Sequence, residues 1–322
     1  MRKKLNFDMA KKFMKFLHSI KRYKKKFGYQ IAFRVFLHYF FRFSKNLFTQ
    51  NSDRVKLKNF VLSTNVNDYG ISKELKIFKI HEPINVNIIS NLIKKNMICL
   101  DVGGNIGFYP LLESFLVGNN GKIIVVEPIP ENFQYLEKNI KLNKIKNIDF
   151  FKIALGDVNG NIEFLLEDQK NTCWIPPKNY TISHEMKTQI IPIKIGDDFL
   201  DELKISHIDF IRMDAEGYEL NIIYGLKKII ESSKPIISLE LHRKILGNRT
   251  TDFFNFLKSN DYEIYSCIER DLDIPMIGRM KDVSIPSIDE LINLINQNKI
   301  GNFIMLNLVT KNYKNSNFTK KF

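Results

Sequence analysis

The chain of 322 residues is poor in cysteine and lacks a hydrophobic run long enough to cross a membrane. Its three cysteines fit neither a paired disulfide framework nor the spacing of a metal site. Arg34, His38 and Arg42 interrupt the apolar stretch near the N-terminus well short of about 20 residues, and no small-residue cleavage site follows it. We therefore predict neither a spanning helix nor a secretory signal, and we expect a cytoplasmic protein.

Several catalytic signatures are also absent. The sequence contains no HExxH, no GxSxG and no phosphate-binding GxxxxGK, so zinc protease, serine hydrolase and nucleoside triphosphatase chemistry have no support. No group of histidines and cysteines has the spacing of a zinc site, and we predict no metal ligand. Whether the protein needs a divalent metal is left open.

Acidic residues are scarce at one end of the chain. Residues 1–48 contain 14 lysines and arginines against the single acid Asp8, which accounts for +13 of the net charge of +14. The same segment holds 13 phenylalanines and tyrosines, interleaved with the cations. A general bias in composition would not confine this excess to one end. We interpret residues 1–50 as a basic, aromatic, helical arm.

The arm has more than one candidate partner. Arg34, His38, Arg42 and Lys45 recur near every fourth residue, while aromatic and aliphatic side chains cover the other faces. This pattern is typical of a helix that lies in a membrane interface with its cations toward anionic headgroups. Basic and aromatic residues also bind nucleic acid through phosphates and stacked bases. We favour an anionic membrane surface, the inner face of the cell membrane, over nucleic acid, and packing onto the chain itself or onto a partner is the third alternative.

The most informative segment is MICLDVGGNIGFYPLL, residues 97–112. It begins with the near-continuous apolar run of a parallel strand covered on both faces. Gly103, Gly104 and Gly107 then permit a sharp turn and a close approach to a ligand before a helix starts. Because polar side chains also stand in this loop, the segment predicts a site for a small charged cofactor.

A second predicted strand, residues 122–127, ends in Glu127, which lies 24 residues after Gly103. A carboxylate at this position accepts hydrogen bonds from the ribose hydroxyls of an adenosine-containing cofactor. The strict dinucleotide pattern fails, because Asn105 or Ile106 stands where its second glycine belongs. The residues alone therefore leave NAD and S-adenosylmethionine both open.

Five sequence blocks follow one another along the chain. They are LDVGGNIGFYPLL at 100–112, VVEPIPENFQYLEKNIKLN at 125–143, ALGDVNG at 154–160, IDFIRMDAEGYEL at 208–220 and KPIISLELH at 234–242. In order and spacing they resemble the FkbM-type S-adenosylmethionine-dependent methyltransferases. The resemblance covers roughly residues 55–245. It implies S-adenosylmethionine as the cofactor.

The resemblance also implies where that cofactor is held. The glycine loop would bind its amino-acid end, with Asp101 or Asn105 toward the ammonium group and the N–H groups of a helix start near the carboxylate. Glu127 is the expected ribose ligand, and the adenine is expected at the end of the third strand. The predicted cofactor-binding residues are Asp101, Gly103, Gly104, Asn105, Gly107, Glu127, Ala154, Leu155 and Asp157.

A second specific motif, RMDAEGYE at residues 212–219, supplies candidates for catalysis. Asp214 ends the strand next to the first one and should face the transferable methyl group, as a general base or an orienting group. His242 ends the strand ISLELH on the same side as Glu240, because the two are two residues apart. The predicted catalytic residues are Asp214, His242 and Glu216, with His184 in an inserted loop as a weaker candidate.

Arg212 departs from the family pattern, which has lysine at this position. Arginine does not deprotonate and prefers planar pairing, so a catalytic lysine is excluded here. We interpret Arg212 as a salt-bridge partner. The departure keeps open a non-catalytic scaffold that retains the cofactor pocket.

The alternation of strands and helices predicts an α/β fold with a mostly parallel sheet. The family resemblance implies a class I methyltransferase, Rossmann-like, with a seven-stranded sheet, helices on both faces and an antiparallel last strand. Core strands are predicted at 97–102, 122–127, 148–153, 207–213, 235–241, 261–266 and 302–309. The domains are predicted as a basic arm (1–50), a small N-terminal cap (51–96), an S-adenosylmethionine-binding methyltransferase domain (97–312) and a polar tail (313–322).

Other elements follow from periodicity and capping signals. Strands are predicted at 55–63, 74–80, 161–167 and 189–196, the last two as an inserted pair. Pro83 is expected to open a helix with Ile84, Ile88 and Leu92 on one face. Further helices are predicted at 107–117, 130–142, 217–231 and 250–259, and another after the capping pair Ser287 and Glu290.

These features together predict an enzyme that O-methylates a sugar hydroxyl of a glycan or glycolipid, since FkbM-like enzymes frequently modify glycosylated or polyketide acceptors. An RNA ribose methyltransferase is the alternative. Methyltransferases that modify base amino groups carry an Asn- or Asp-Pro-Pro-aromatic sequence after the fourth strand, whereas this chain has DAEGY there. That difference argues against base N-methylation but not against ribose methylation.

Overall fold

The computed structural model describes residues 53–65, 71–79, 81–166, 173–174, 187–242, 247–271, 279–285, 287–301 and 303–313. The chain divides into two compact units, Met1–Ser52 and Asp53–Phe322, and everything described belongs to the second. The predictions for the basic arm, for His184 and for the tail after residue 313 lie outside these residues. Among the described residues, no helix is both long and apolar enough to cross a membrane.

The strands are β1 (Arg54–Lys56), β2 (Val61–Ser63), β3 (Ile98–Val102), β4 (Lys122–Val126), β5 (Ile148–Phe151), β6 (Ala154–Gly156), β7 (Gly160–Leu166), β8 (Cys173–Trp174), β9 (Lys187–Ile195), β10 (Phe210–Met213), β11 (Ile236–His242), β12 (Tyr262–Asp271), β13 (Arg279–Val283) and β14 (Phe303–Thr310). The α-helices are α1 (Ile71–Phe78), α2 (Pro83–Leu92), α3 (Phe108–Val117), α4 (Pro130–Leu142), α5 (Gly196–Glu202), α6 (Glu219–Gly225), α7 (Lys227–Ser233), α8 (Thr250–Ser259) and α9 (Ile288–Asn296). A short 3-10 helix, Gly247–Arg249, precedes α8.

The main sheet has the strand order β5-β4-β3-β10-β11-β14-β12-β13. Strands β5, β4, β3, β10 and β11 are parallel, and β14 runs antiparallel to both of its neighbours, β11 and β12. The predicted fold class and its antiparallel last strand are thereby confirmed. The sheet gains an eighth strand beyond the seven predicted, because β13 pairs antiparallel with β12 at the edge.

Both faces of the sheet are covered by helices, which explains the continuous apolar runs in its central strands. Alternate residues of β3 point to opposite faces: Leu100 packs in one buried cluster and Cys99 in the other. The first cluster includes residues of α6, α7, α8 and α9, and the second includes residues of α2, α3 and α4. Because β4, β3 and β10 are parallel neighbours, their carboxyl ends lie together at one edge of the sheet.

A second, four-stranded sheet follows β5, in the order β6-β9-β7-β8. The inserted pair predicted at 161–167 and 189–196 is confirmed as β7 and β9, which pair antiparallel. The segment predicted as one strand at 148–153 divides, because β5 belongs to the main sheet whereas β6 pairs with β9. Helix α5, which directly follows β9, was not predicted.

Two predictions for the cap were wrong. Residues 74–80 were expected to form a strand, but Ile71–Phe78 is a helix in which Leu75 is fully buried and the partly buried Ile71 packs one turn before it. Residues 55–63 form a hairpin rather than one strand, since β1 and β2 pair antiparallel and bury Val55 and Leu62. In the first segment a short apolar pattern fits both the strand and the helix period, and packing against the core decides between them. In the second segment the β conformation is as predicted, but a bend at Lys58 and Asn59 divides it into two strands.

The helix predicted at 217–231 is also interrupted. Helix α6 ends at Gly225, where a Cβ would lie only 1.7 Å from the carbonyl oxygen of Gly156 in β6. A new helix, α7, starts two residues later, and the carboxylate of Asp197 accepts hydrogen bonds from the N–H groups of Lys228 and Ile229 at 2.8 and 3.0 Å. Asp197, which is distant in sequence, thus accepts from N–H groups that have no acceptor within the first turn of the helix.

Helix α2 begins at Pro83 as predicted, but a different stripe is buried. Asn85, Ile89 and Leu92 face inward instead of Ile84, Ile88 and Leu92. Asn85 can be buried because its side chain is hydrogen-bonded: its amide N–H donates to the hydroxyl of Tyr109 at 3.0 Å, and its amide oxygen accepts from Asn307 at 3.1 Å. The predicted capping contact at the start of α9 is confirmed, because Ser287 Oγ accepts from the Glu290 N–H at 3.1 Å.

Asn139 on helix α4 attaches the β1–β2 hairpin to the glycine loop. Its Oδ1 accepts from the Ser63 N–H at 2.6 Å, and its Nδ2 donates to the carbonyls of Ser63 and Ile106 at 3.0 and 2.7 Å. One turn later Asn143 makes the same pair of contacts with the backbone of Val61. The two side-chain amides therefore make the backbone hydrogen bonds that a neighbouring strand would otherwise make with β2.

We predict that Asn139→Asp lowers the free energy of unfolding by about 2 to 4 kcal/mol, because two buried carbonyls lose their donor and a carboxylate is buried beside them. Urea unfolding followed by circular dichroism measures the change. Asn120→Asp, at an exposed turn position, is the matched control and should shift the midpoint little. Equal effects of both substitutions would contradict the role given to Asn139.

Candidate functional site

The glycine loop after β3 lies where the carboxyl ends of the central strands meet. Gly103 has φ +88°, and a Cβ there would lie 2.3 Å from the carbonyl oxygen of Asp214 at the end of β10. Its N–H donates to the carbonyl of Val126 at 2.9 Å. Only glycine allows the tips of β3 and β10 to approach this closely.

Glu127, directly after β4, fastens this loop. Its Oε2 accepts from the Asn105 N–H at 2.7 Å and its Oε1 accepts from the Ile129 N–H at 2.8 Å. Only 3% of the residue is exposed. Burial raises the pKa of Glu127 to about 7, although the hydrogen bonds from Ile129, Asn105 and Asn132 lower it. The carboxylate is thus pre-positioned at the rim of a cavity.

An open cleft of about 650 Å³, mouth included, lies beside Glu127. Seven predicted site residues line the cleft: Gly103, Asn105, Glu127, Ala154, Leu155, Asp214 and Glu216. Five others are outside the lining: Asp101, Gly104, Gly107, Asp157 and His242.

The five predicted residues outside the lining have other contacts. A Cβ on Gly104 would lie 2.4 Å from Val125, so this glycine serves packing, and Gly107 precedes the first residue of α3. Both carboxylate oxygens of Asp157 accept from the side-chain amide of Asn221 at 3.0 Å. A contact of Asp157 with adenine stays a prediction.

Asp101 is fully buried and forms an ion pair with Arg212, whose Nη1 lies 3.2 Å from its Oδ1. The same guanidinium donates to the Gly103 carbonyl and to Asp214 Oδ2, both at 3.4 Å, and it lies 3.9 Å from the centre of the Tyr109 ring. The interpretation of Arg212 as a salt-bridge partner is confirmed. Burial raises the pKa of Asp101 to about 6, while Arg212 lowers it. An ammonium contact of Asp101 stays a prediction.

His242, at the end of β11, is buried between carboxylates. Its Nδ1 lies 2.8 Å from Glu219 Oε1 and its Nε2 lies 3.2 Å from Glu216 Oε2. Burial alone would lower the pKa of His242, but the hydrogen bonds to Glu216 and Glu219 raise it to about 12. Burial raises the pKa of Glu216. Asp214, Glu240 and His242 each offer a ligand atom, and these atoms lie within 4.8 Å of one another.

The cleft also contains residues that sequence reasoning missed. Tyr218 belongs to the second specific motif and could have been chosen from it. Phe164 comes from the inserted sheet, and Asn132 from the first turn of α4. No signal in the sequence shows that these two segments meet at the cleft.

The strand order, the glycine loop after the first parallel strand and the acid after the second together define a class I methyltransferase. Residues 101–264, slightly more than half of the chain, match the family described as the Methyltransferase FkbM domain. The chain belongs to this family.

Two curated relatives are similar in sequence. Methyltransferase 1 of Beauveria bassiana is 25% identical over 146 residues, which is 39% of this chain and 57% of that protein. The 2-O-methyltransferase NoeI of Sinorhizobium fredii is 26% identical over 178 residues, which is 51% of this chain and 70% of that protein. The chain thus spans little more than half the length of the first relative.

A solved structure of Methyltransferase FkbM from Methylobacillus flagellatus is also similar. The two are 16% identical at a TM-score of 0.41, over 66% of this chain and 43% of the other.

The cofactor of this domain is S-adenosylmethionine, and the residues at the cleft fit it. Glu127 already accepts two backbone N–H groups and a bond from Asn132, and its four lone-pair sites leave acceptor capacity for a ribose hydroxyl. Apolar side chains of Ile129, Leu155 and Ile222 offer a wall for a flat ring. Bound there, the cofactor supplies an electrophilic methyl group on a positively charged sulfur.

We predict a pH effect that reports on Glu127. A carboxyl group with a raised pKa contributes stability that is present below its unfolded pKa, near 4.5, and is lost as the pH rises through its folded pKa, about 7. Glu127→Gln removes this loss. The wild type should therefore lose unfolding free energy relative to the variant, by roughly 1 kcal/mol per pH unit between these values.

Urea unfolding of the unliganded proteins from pH 4.5 to 8 measures the difference. Glu137→Gln, an exposed carboxylate on α4, is the control and should run parallel to the wild type. Parallel curves for Glu127→Gln would contradict the burial of this charge.

Proposed function

We propose that the protein is an S-adenosylmethionine-dependent O-methyltransferase that acts on a sugar hydroxyl of a glycan or glycolipid in the cytoplasm. The observation that carries this proposal is the carboxylate of Asp214, which follows β10 and lines the same cleft as Glu127, which follows β4 on the other side of β3. The name of the Sinorhizobium relative, a 2-O-methyltransferase, supports oxygen as the atom that is methylated. A sugar acceptor is the expectation from the family resemblance.

Methyl transfer to a hydroxyl has two requirements that this chain's residues can meet. The acceptor oxygen must lie in line with the sulfur–methyl bond, and positioning supplies much of the rate for such a two-body reaction. The hydroxyl proton must also leave, which needs a base within hydrogen-bond reach. Asp214 is our candidate base. Arg212 approaches its Oδ2 at 3.4 Å and orients the carboxylate.

His242 is a weaker candidate for the base than Asp214. Its neighbours Glu216 and Glu219 raise its pKa to about 12, so at neutral pH the ring is an imidazolium with no free lone pair. In this arrangement its role is to hold Glu216 at the cleft. An acid that is already protonated cannot accept the acceptor's proton.

We predict that Asp214→Asn lowers kcat by about 100- to 10,000-fold, the usual contribution of a positioned base. The dissociation constant for S-adenosylmethionine should change little, whereas Glu127→Ala should abolish cofactor binding. Transfer of a tritiated methyl group to fractionated cell-envelope extract measures turnover, and calorimetry measures binding. Glu202→Gln, in an exposed pair with Lys194, is the control.

Four outcomes would contradict parts of the proposal. Full turnover by Asp214→Asn would end the assignment of the base. Binding of NAD but not S-adenosylmethionine would overturn the function. Methyl transfer to RNA instead of the envelope fraction would favour the ribose methyltransferase, and cofactor binding without transfer to either fraction would favour the scaffold.

We also propose that the basic arm, residues 1–48, docks the enzyme on an anionic membrane surface. The supporting observations are its charge of +13 and its interleaved aromatic residues. Cations attract anionic headgroups, and aromatic rings insert at the interface. Docking of this kind would bring the cleft to a lipid-linked acceptor.

We predict that the full chain sediments with vesicles of phosphatidylcholine and phosphatidylglycerol, and not with phosphatidylcholine alone, at about 0.1 M salt. Replacing Lys24, Lys25 and Lys26 by glutamine should weaken binding roughly 100-fold, at about 1 kcal/mol per lysine. Replacing three lysines on and after α4, Lys138, Lys141 and Lys144, is the matched control. Equal sedimentation with both vesicles, or preference for an RNA homopolymer, would contradict the proposal.

A further inference from the structure

Three side chains from two neighbouring strands converge at the inner end of the cleft. Asp214 follows β10, and Glu240 and His242 lie two residues apart on the adjacent β11. Their ligand atoms are within 4.8 Å of one another, and Glu240 and His242 are each only 4% exposed. Among them Asp214 lines the cleft, so the group is reached from the cofactor cavity.

The imidazole of His242 is oriented as in metal sites. Its Nδ1 pairs with Glu219 Oε1 at 2.8 Å, and that oxygen is itself fixed by the N–H of Gly217 at 2.9 Å. Glu219 is fully buried, and its other oxygen has no hydrogen-bond partner among the described residues. A carboxylate behind a ligating histidine sets its tautomer and points the other nitrogen toward the metal.

Carboxylates surround the ring of His242, and a bound cation would offset their negative charge. Besides Glu219, the carboxylate of Glu216 lies 3.2 Å from Nε2, and Glu240 acts on the ring electrostatically. A single imidazolium offsets only one negative charge. Arg212 cannot serve the cluster alone, because it also neutralises the buried Asp101. Buried charges persist only when they are paired or bind metal.

We propose that Asp214, Glu240 and His242 bind one divalent cation of the Mn²⁺ class. Two carboxylates favour a hard cation such as Mg²⁺ or Mn²⁺, and the imidazole favours a transition metal, so Mn²⁺ satisfies both preferences. Glu216 is close enough to Nε2 to contact a bound ion as well. This site departs from the sequence expectation of no metal ligand.

The role of the ion rests on the proposed function. A divalent cation lowers the pKa of a bound hydroxyl. The acceptor oxygen would bind the ion and give its proton to the second carboxylate oxygen of Asp214. It would then form a bond to the methyl carbon as the sulfur–methyl bond breaks, leaving a neutral thioether. His242 is then a metal ligand through Nε2 rather than an imidazolium.

Titration of the full chain with MnCl₂, with free Mn²⁺ read from its electron paramagnetic resonance signal, tests the site. We expect one bound Mn²⁺ per chain, at least 100-fold weaker binding in Glu240→Gln, and about 10- to 100-fold weaker binding in Glu219→Gln, which removes the supporting carboxylate. Glu202→Gln should bind like the wild type. Failure of the wild type to bind, or unchanged binding by Glu240→Gln, would overturn the proposal.

A second measurement does not depend on how the acidic variants fold. Electron spin-echo modulation of the Mn²⁺-loaded wild type should show a directly bound imidazole nitrogen, and His207→Gln, at an exposed histidine, should retain it. Absence of nitrogen modulation would overturn the site. Methyl transfer that persists in EDTA, in a protein that does not bind Mn²⁺, would overturn the metal site but leave the proposed function intact. Mn²⁺ binding without methyl transfer would support the metal site and overturn the proposed function.

Discussion

The buried guanidinium of Arg212 is the interaction on which the rest of the site depends. It stands beside Asp101 in the register of two parallel central strands, pairs with that carboxylate, and reaches the Gly103 carbonyl and Asp214. Burial alone would lower the pKa of Arg212, but Asp101 and Asp214 raise it above its ordinary value. Removing one partner of such a buried pair typically costs about 3 to 5 kcal/mol, because an uncompensated charge remains. The glycine loop and the Asp214 carboxylate thus share one anchor.

The acidic residues of the site are of two kinds: buried counter-ions and carboxylates that line the cleft. Asp101 is an internal counter-ion, and burial together with Asp101 raises the pKa of nearby Glu113 well above its ordinary value. Glu127 and Asp214 instead line the cleft, where a ligand reaches them. A sequence presents all of these as acids near strand ends. The direction of each side chain decides whether the acid is a buried counter-ion or lines the cleft and can contact a ligand.

The sequence predicted the parts of the fold that depend on local patterns. Apolar runs such as those of β3 and β4 identify central parallel strands, and the spacing of Gly103 and Glu127 identifies the cofactor edge. Strand β13 and helix α1 escaped prediction because short segments at the periphery take their conformation from their neighbours. Phe164 at the cleft was equally inaccessible, since it depends on how the inserted sheet folds back. His242 lies at the end of its strand, as predicted. Its carboxylate neighbours Glu216 and Glu219 come from the turn before α6 and from the first residue of that helix, and the sequence does not show that this helix start lies beside β11.

The contact between Gly225 and Gly156 has a consequence for how the cleft works. There, helix α6 and strand β6 touch backbone to backbone, with no side chain between them that could change its rotamer. Leu155, beside one glycine, and Ile222, one turn before the other, both face the cavity. The spacing between these two walls is therefore set by main-chain geometry. Substitutions of side chains around the opening can change which molecule fits the cleft. The distance between these two walls can change only if the backbone contact between Gly225 and Gly156 is replaced.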